Sequence, residues 1–118
     1  MKQSVKQTLD FGEVIGIVRG TLKLSQEKIA RVLDVSIRTI VRWEREGESP
    51  PLLEGERLDL IFEVCGLAKE VMEPKDIPAW FTSPKSALSG ERPIDMLSSY
   101  RGIQQVRDLL ERIRWGVF

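Results

Sequence analysis

Three arginines, Arg38, Arg42 and Arg45, stand at spacings of four and three. At about 100° per residue, a helix over this stretch puts Arg38, Val41, Arg42 and Arg45 on one side. Ile40 and Trp43 fall on the other. Docked through Ile40 and Trp43, such a helix presents three guanidinium groups to solvent. Planar guanidinium forks suit guanine edges and phosphate oxygens. An ordinary solvated charged face would look similar, so the preceding residues decide between the two readings.

Residues 24–47, LSQEKIARVLDVSIRTIVRWEREG, read as two short helices joined by a tight turn. That is the helix-turn-helix arrangement, whose second helix enters the major groove. Ser25 is a good N-cap for a first helix running to about Leu33. Its buried side is marked by Ile29, Ala30 and Leu33. Asp34-Val35-Ser36 forms the turn, where Asp tolerates a left-handed backbone better than most residues. Ser36 caps the second helix and Gly47 closes it.

Charge supports an anionic partner locally and not globally. The 118-residue chain has 18 basic and 18 acidic residues, so its formal charge is zero. Residues 19–45 carry seven cations against three anions, a local +4 that the remainder balances. Such a distribution fits specific, dimer-assisted DNA binding better than tight nonspecific binding. The chain has no His and one Cys, which removes the commonest general base and any zinc cluster. No phosphate-cradling glycine loop is present. An enzyme is therefore not expected, and neither is a catalytic residue, a metal or a cofactor. Cys65, alone in an apolar helical stretch, reads as a buried core thiol. No apolar run approaches the length of a membrane span, and no leader is apparent, so a cytoplasmic protein is expected.

The remaining elements must position that stretch. Residues 1–7 are polar, and a first helix is expected over residues 8–19, with Phe11, Val14, Ile15 and Val18 inward and Gly20 ending it. Gly12 and Gly16 weaken this helix by roughly 1 kcal/mol each relative to Ala, and close packing is the expected compensation. Leu22 and Leu24 belong to the core at the joint. After Glu48-Ser49-Pro50-Pro51, helical periodicity resumes from Leu52 to Met72 with an unusually wide apolar arc. This long helix is expected to bridge two halves of the chain, to form a dimer interface, or to be a single well-buried core helix. Residues 73–78 read as a linker with two prolines. Ser83-Pro84 and Arg92-Pro93 look like helix starts, with Ser89-Gly90-Glu91 a turn between them. Ser99 caps a last helix, residues 100–115, whose stripe is Ile103, Val106, Leu110 and Ile113. Trp80 is expected to anchor this half of the core, or else to serve as an interface hot spot.

The chain finishes Arg112-Ile113-Arg114-Trp115-Gly116-Val117-Phe118. Chain termini are usually polar, and aromatic and Arg side chains dominate interface energies. From the residues alone, this tail either meets a partner or folds back on its own domain.

Gln26, Ala30, Asp34, Val35, Ser36, Ile40, Trp43 and Glu44 resemble the lambda-repressor-like, or Xre-type, helix-turn-helix. Asp34 departs from the Gly usual in that turn. The resemblance implies that Gln26, Ser36, Ile37, Arg38, Val41, Arg42 and Arg45 face the major groove or its flanking phosphates. Trp80, Ser83-Pro84, Leu88, Pro93-Ile94-Asp95, Leu97, Gly102, Val106, Leu110, Ile113 and Gly116-Val117-Phe118 resemble the toxin-binding domain of the Xre/MbcA/ParS antitoxins. This implies a type II antitoxin whose partner is a RES-domain toxin that depletes NAD. Its C-terminal end, Arg112, Arg114, Trp115, Gly116, Val117 and Phe118, would lie against the toxin. Its N-terminal module would repress its own operon as a homodimer. The expected fold is all-α, a lambda-repressor-like module followed by a small helical toxin-binding module. The expected division is DNA binding over residues 1–50, a linking or dimerisation helix over 51–73 and toxin binding over 74–118. The rival readings are a stand-alone Xre-type transcriptional repressor with a C-terminal oligomerisation or sensing domain, and a neutraliser that no longer binds DNA.

Overall fold

Asp10 starts the first helix. Its carboxylate accepts the Glu13 amide at 2.8 Å, and the Glu13 carboxylate accepts the Asp10 amide at 3.0 Å, a reciprocal capping box. A computed structural model describes residues 9–47 and 50–116 of the chain. In it α1 runs Phe11–Leu22, starting and ending three residues later than the apolar spacing predicts. Gly20 lies inside the helix. Lys23, at φ 57°, turns the chain out of it.

Close packing compensates one of the two early glycines and not the other. A Cβ on Gly12 would meet the Glu44 carbonyl oxygen at 2.8 Å, so α1 crosses the next-but-one helix backbone to backbone. At Gly16 a Cβ would meet nothing within 4 Å.

The helices α2 (Gln26–Leu33) and α3 (Ile37–Glu46) follow the predicted caps. Ser25 accepts the Lys28 amide, Ser36 accepts the Thr39 amide, and Gly47 at φ 63° closes α3. Asp34 takes the left-handed conformation at φ 58°, and its amide returns to the Ala30 and Arg31 carbonyls. Ile29, Ala30, Leu33, Ile40 and Trp43 are all buried, as are Leu22 and Leu24 at the joint.

The long helix α4 (Leu52–Val71) buries Leu58, Ile61, Val64, Cys65, Leu67 and Ala68. It packs against both α1 and the last helix, so both halves share it. Burial pushes the Cys65 thiol up to about 12, against a smaller opposing pull from the Lys69 ammonium.

The segment after α4 departs most from expectation. Residues 73–78 are not a plain linker. A 3-10 turn, Pro74–Asp76, leads directly into the short α5 (Ile77–Phe81), which buries Ile77 and Phe81. Ser83-Pro84 does not open a helix. The Ser83 hydroxyl donates back to the Ala79 carbonyl at 2.7 Å, which terminates α5 instead. Phe81, 1% exposed, is the core anchor, and Trp80 is only half-buried beside it. Single 3-10 turns follow at Ser86–Leu88 and Pro93–Met96, separated by the expected turn at Ser89 and Gly90, both at positive φ. Pro93 starts its turn as predicted, but as 3-10 helix.

The last helix, α6 (Tyr100–Arg114), is capped by Ser99, whose hydroxyl accepts the Gly102 amide at 3.0 Å. Ile103, Val106 and Leu110 are buried against α4. Gly102 is obligatory here. A Cβ on it would fall on the Met96 carbonyl oxygen. Buried side chains from all six helices join in one hydrophobic core, and the described residues contain no strand. The fold is all-α.

Candidate functional site

Two exposed regions carry the residues singled out in the sequence. The first is the outer side of α3. Ile40 and Trp43, 0% and 2% exposed, fix its inner side. Arg38, Arg42 and Arg45 are exposed on the other side, with Val41 half-buried among them and Ile37 47% exposed at the start. Ser36 is exposed, but its hydroxyl is committed to the cap and to the Thr39 hydroxyl at 2.9 Å.

Glu44 braces this region from beneath. One carboxylate oxygen accepts Arg19 of α1 at 2.8 Å, and the other accepts the Gln26 side-chain amide at 2.7 Å. Arg19 also donates to the Leu24 carbonyl at 3.0 Å. Three helices are thus locked around one half-buried carboxylate. A carboxylate can only accept, so the Gln26 amide nitrogen must be the group facing Glu44. That leaves the Gln26 side-chain oxygen as its available acceptor. Gln26 sits with the other predicted residues, with one amide hydrogen committed to Glu44 and the second amide hydrogen and the side-chain oxygen left for a ligand.

The second region is the end of α6. Arg112, Arg114 and Trp115 are exposed, Trp115 by 70%. Arg114 pairs with Glu70 of α4 at 3.2 Å and holds its guanidinium 5.2 Å from the centre of the Trp115 ring. In water such a pair adds little stability, but it orients the Trp115 indole. Gly116, at φ 70°, donates its amide to the Ile113 carbonyl and closes the helix. Val117 and Phe118 lie outside the described residues.

Three features escaped sequence reasoning. Arg57 of α4 donates to the Val32 and Leu33 carbonyls at the end of α2, at 3.2 and 2.6 Å, and to the Ser98 carbonyl at 2.9 Å. It ties the first half to the second, and nothing in local periodicity marks it. The Arg19–Glu44–Gln26 brace is likewise long-range. The third is Lys85, whose ammonium lies 4.7 Å above the Trp80 ring and whose pKa burial lowers.

Comparison with known proteins bears on the second region directly. Residues 68–116 match the model of the antitoxin Xre/MbcA/ParS C-terminal toxin-binding domain. The mycobacterial cidal antitoxins MbcA of Mycobacterium tuberculosis and Mycobacterium bovis are 28% identical over 97 residues, covering 82% of this chain and 85% of theirs. A probable mycobacterial cidal antitoxin of M. tuberculosis is 24% identical over 118 residues, covering 100% of this chain and 99% of its own. Among solved structures, a chain of the M. tuberculosis MbcT–MbcA toxin–antitoxin complex superposes with a TM-score of 0.75 at 25% identity, covering 91% of this chain and 96% of that one. These relatives are antitoxins. Among the described residues no helix is long and apolar enough to cross a membrane. The family match over residues 68–116, the likeness to MbcA over most of both chains and the shared fold agree, and the chain is similar over most of its length to antitoxins of the Xre/MbcA/ParS family.

Proposed function

We propose that this antitoxin neutralises a RES-type, NAD-degrading toxin through the end of its C-terminal half and represses its own operon through α3. The observation that carries the toxin reading is the end of α6. An indole that is 70% exposed stands beside two exposed arginines, within the segment matched to a toxin-binding domain. Exposed aromatic and Arg side chains are the types that lose most binding energy when truncated. Trp115 needs no rearrangement to meet a partner, and Arg112 and Arg114 supply the charge to steer one.

The repressor reading is supported by the arginine side of α3. Arg38, Arg42 and Arg45 project from a helix whose opposite side is fixed in the core, with the Glu44 brace setting its angle. A homodimer would place two such helices in successive major grooves, roughly 34 Å apart along the duplex. On this reading residues 1–50 bind DNA, 51–73 link the halves and support dimerisation, and 74–118 bind toxin in the cytoplasm.

The experiment is a native pull-down of the tagged full-length protein, with bound species identified by mass spectrometry. Recovery of a stoichiometric RES-type partner, followed by suppression of its NAD depletion when this protein is added, is the expected result. A homodimer alone, recovered from cells expressing the neighbouring genes, would replace the neutralising role with that of a stand-alone repressor.

A further inference from the structure

The end of α4, the helix α5 and the end of α6 enclose an open groove of about 400 Å³. Its walls are Val71, Met72, Ala79, Trp80 and Ile113, with Asp76 on one side. Ser83 also borders it, but its hydroxyl is spent on the Ala79 carbonyl. Trp80 is held on two sides. Its ring meets Phe81 edge-on, with centroids 5.0 Å apart at 73°, and the Lys85 ammonium stacks above it at 4.7 Å. A half-buried indole fixed in this way loses little freedom when something packs on it, which is the condition for a binding hot spot.

We propose that this groove receives an apolar side chain of the toxin, aromatic or branched aliphatic, with an N–H or guanidinium donor beside it for Asp76. Among the described residues the Asp76 carboxylate forms no ion pair. The inference rests on the reading of this half as toxin-binding and adds a second contact to it. The lining residues run from 71 to 113, all inside the segment matched to the toxin-binding domain. The groove is continuous with the end of α6, because Ile113 lines it and the next residue, Arg114, pairs with Glu70, the neighbour of the lining residue Val71. None of its walls comes from α2 or α3, so an occupant leaves the arginine side of α3 uncovered. The toxin contact is therefore bipartite. The tail reaches into the toxin, and a toxin side chain reaches into the antitoxin.

The test is isothermal titration of the full-length protein with the purified toxin that the pull-down recovers. Ala79→Arg is the first variant, since Ala79 is exposed and a long cation there obstructs the groove without entering the core. Trp80→Ala is the second, with circular dichroism to confirm folding. Loss of a hot spot predicts Kd values raised at least about 30-fold, with operator binding unchanged. Wild-type affinity in both variants, alongside loss on deleting Gly116 to Phe118, would overturn the groove while leaving the toxin reading intact. Absence of binding by the unmodified protein would remove the toxin reading itself. Tighter binding after that deletion would assign the groove to the chain's own tail. A dimer that dissociates in Ala79→Arg without toxin would assign it to a second copy. Either outcome overturns the proposal.

Discussion

Arg38 and Trp115 are both exposed, but they are held in opposite ways. Arg38 stands on a helix pinned by Ile40, Trp43, two helix caps and the Glu44 brace, so its position is set by the core beneath it. Trp115 stands at a helix end, one residue before the chain turns at Gly116, with the Arg114 guanidinium against its ring. A reader of a repeating duplex needs a fixed register. A side chain that enters another protein's surface gains from reach. The two halves are joined through α4, Arg57 and the direct packing of α1 on α5, but both regions lie on the surface of that shared core, so exposed side chains of each can be altered separately.

The sharpest blow, struck in the C-terminal half, is Gly102→Ala. The added methyl would fall on the Met96 carbonyl oxygen, and overpacking of this kind costs about 3 kcal/mol or more. Thermal unfolding should show a large fall in Tm. A wild-type Tm would mean that the start of α6 yields easily. Arg57→Ala tests the connection between the halves. It removes three hydrogen bonds from a charged donor, an expected loss of about 2 kcal/mol. Denaturant melts followed at Trp43 and Trp80 should separate if Arg57 couples the halves, and coincident transitions would show that α4 suffices.

Cys65 reports on the shared core. Its thiol is raised from 9.0 to about 12 by burial, so the folded state holds the proton where the unfolded state has lost it. Its contribution is complete below pH 9 and is lost as pH rises from 9 to about 12. Thiol labelling under native conditions should be slow. Rapid labelling of the folded protein would show that α4 is not sealed. The smallest change sharpens the contrast between the two early glycines. Gly16→Ala should stabilise α1 by about 0.5–1 kcal/mol, because nothing obstructs the methyl. Gly12→Ala should destabilise, because α3's backbone is in the way.

How much was legible in the sequence differs between the same two regions. Through α4, the signals are local and regular. Ser25, Ser36 and Gly47 cap where capping residues are expected, and Ile29, Leu33, Ile40 and Trp43 point inward at helical spacing. Even the misplaced start of α1 had a visible sign, the Asp10–Glu13 capping box. From residue 73 to 98 the chain folds through 3-10 turns and a five-residue helix, which are too short to show a period. There Ser83 ended a helix that its neighbour Pro84 suggested it would begin, and Phe81 took the core position expected of Trp80. The choice between adjacent aromatics depends on how α5 rolls against α1 and the 3-10 turn Pro93–Met96, which no local pattern encodes. The Arg19–Glu44–Gln26 brace and Arg57 are invisible for the same reason, since their partners lie 18 to 41 residues away.

On the proposed function, two separate regions perform two separate tasks. The most direct measurement takes Arg38→Ala/Arg42→Ala and the deletion of Gly116 to Phe118, and assays each for operator affinity and for protection against the toxin. The double substitution should lose about 1–3 kcal/mol of operator affinity per base-reading arginine and protect fully. The deletion should bind the operator normally and fail to protect. Full protection by the truncated protein, or unchanged operator affinity in the double variant, would contradict this division of tasks.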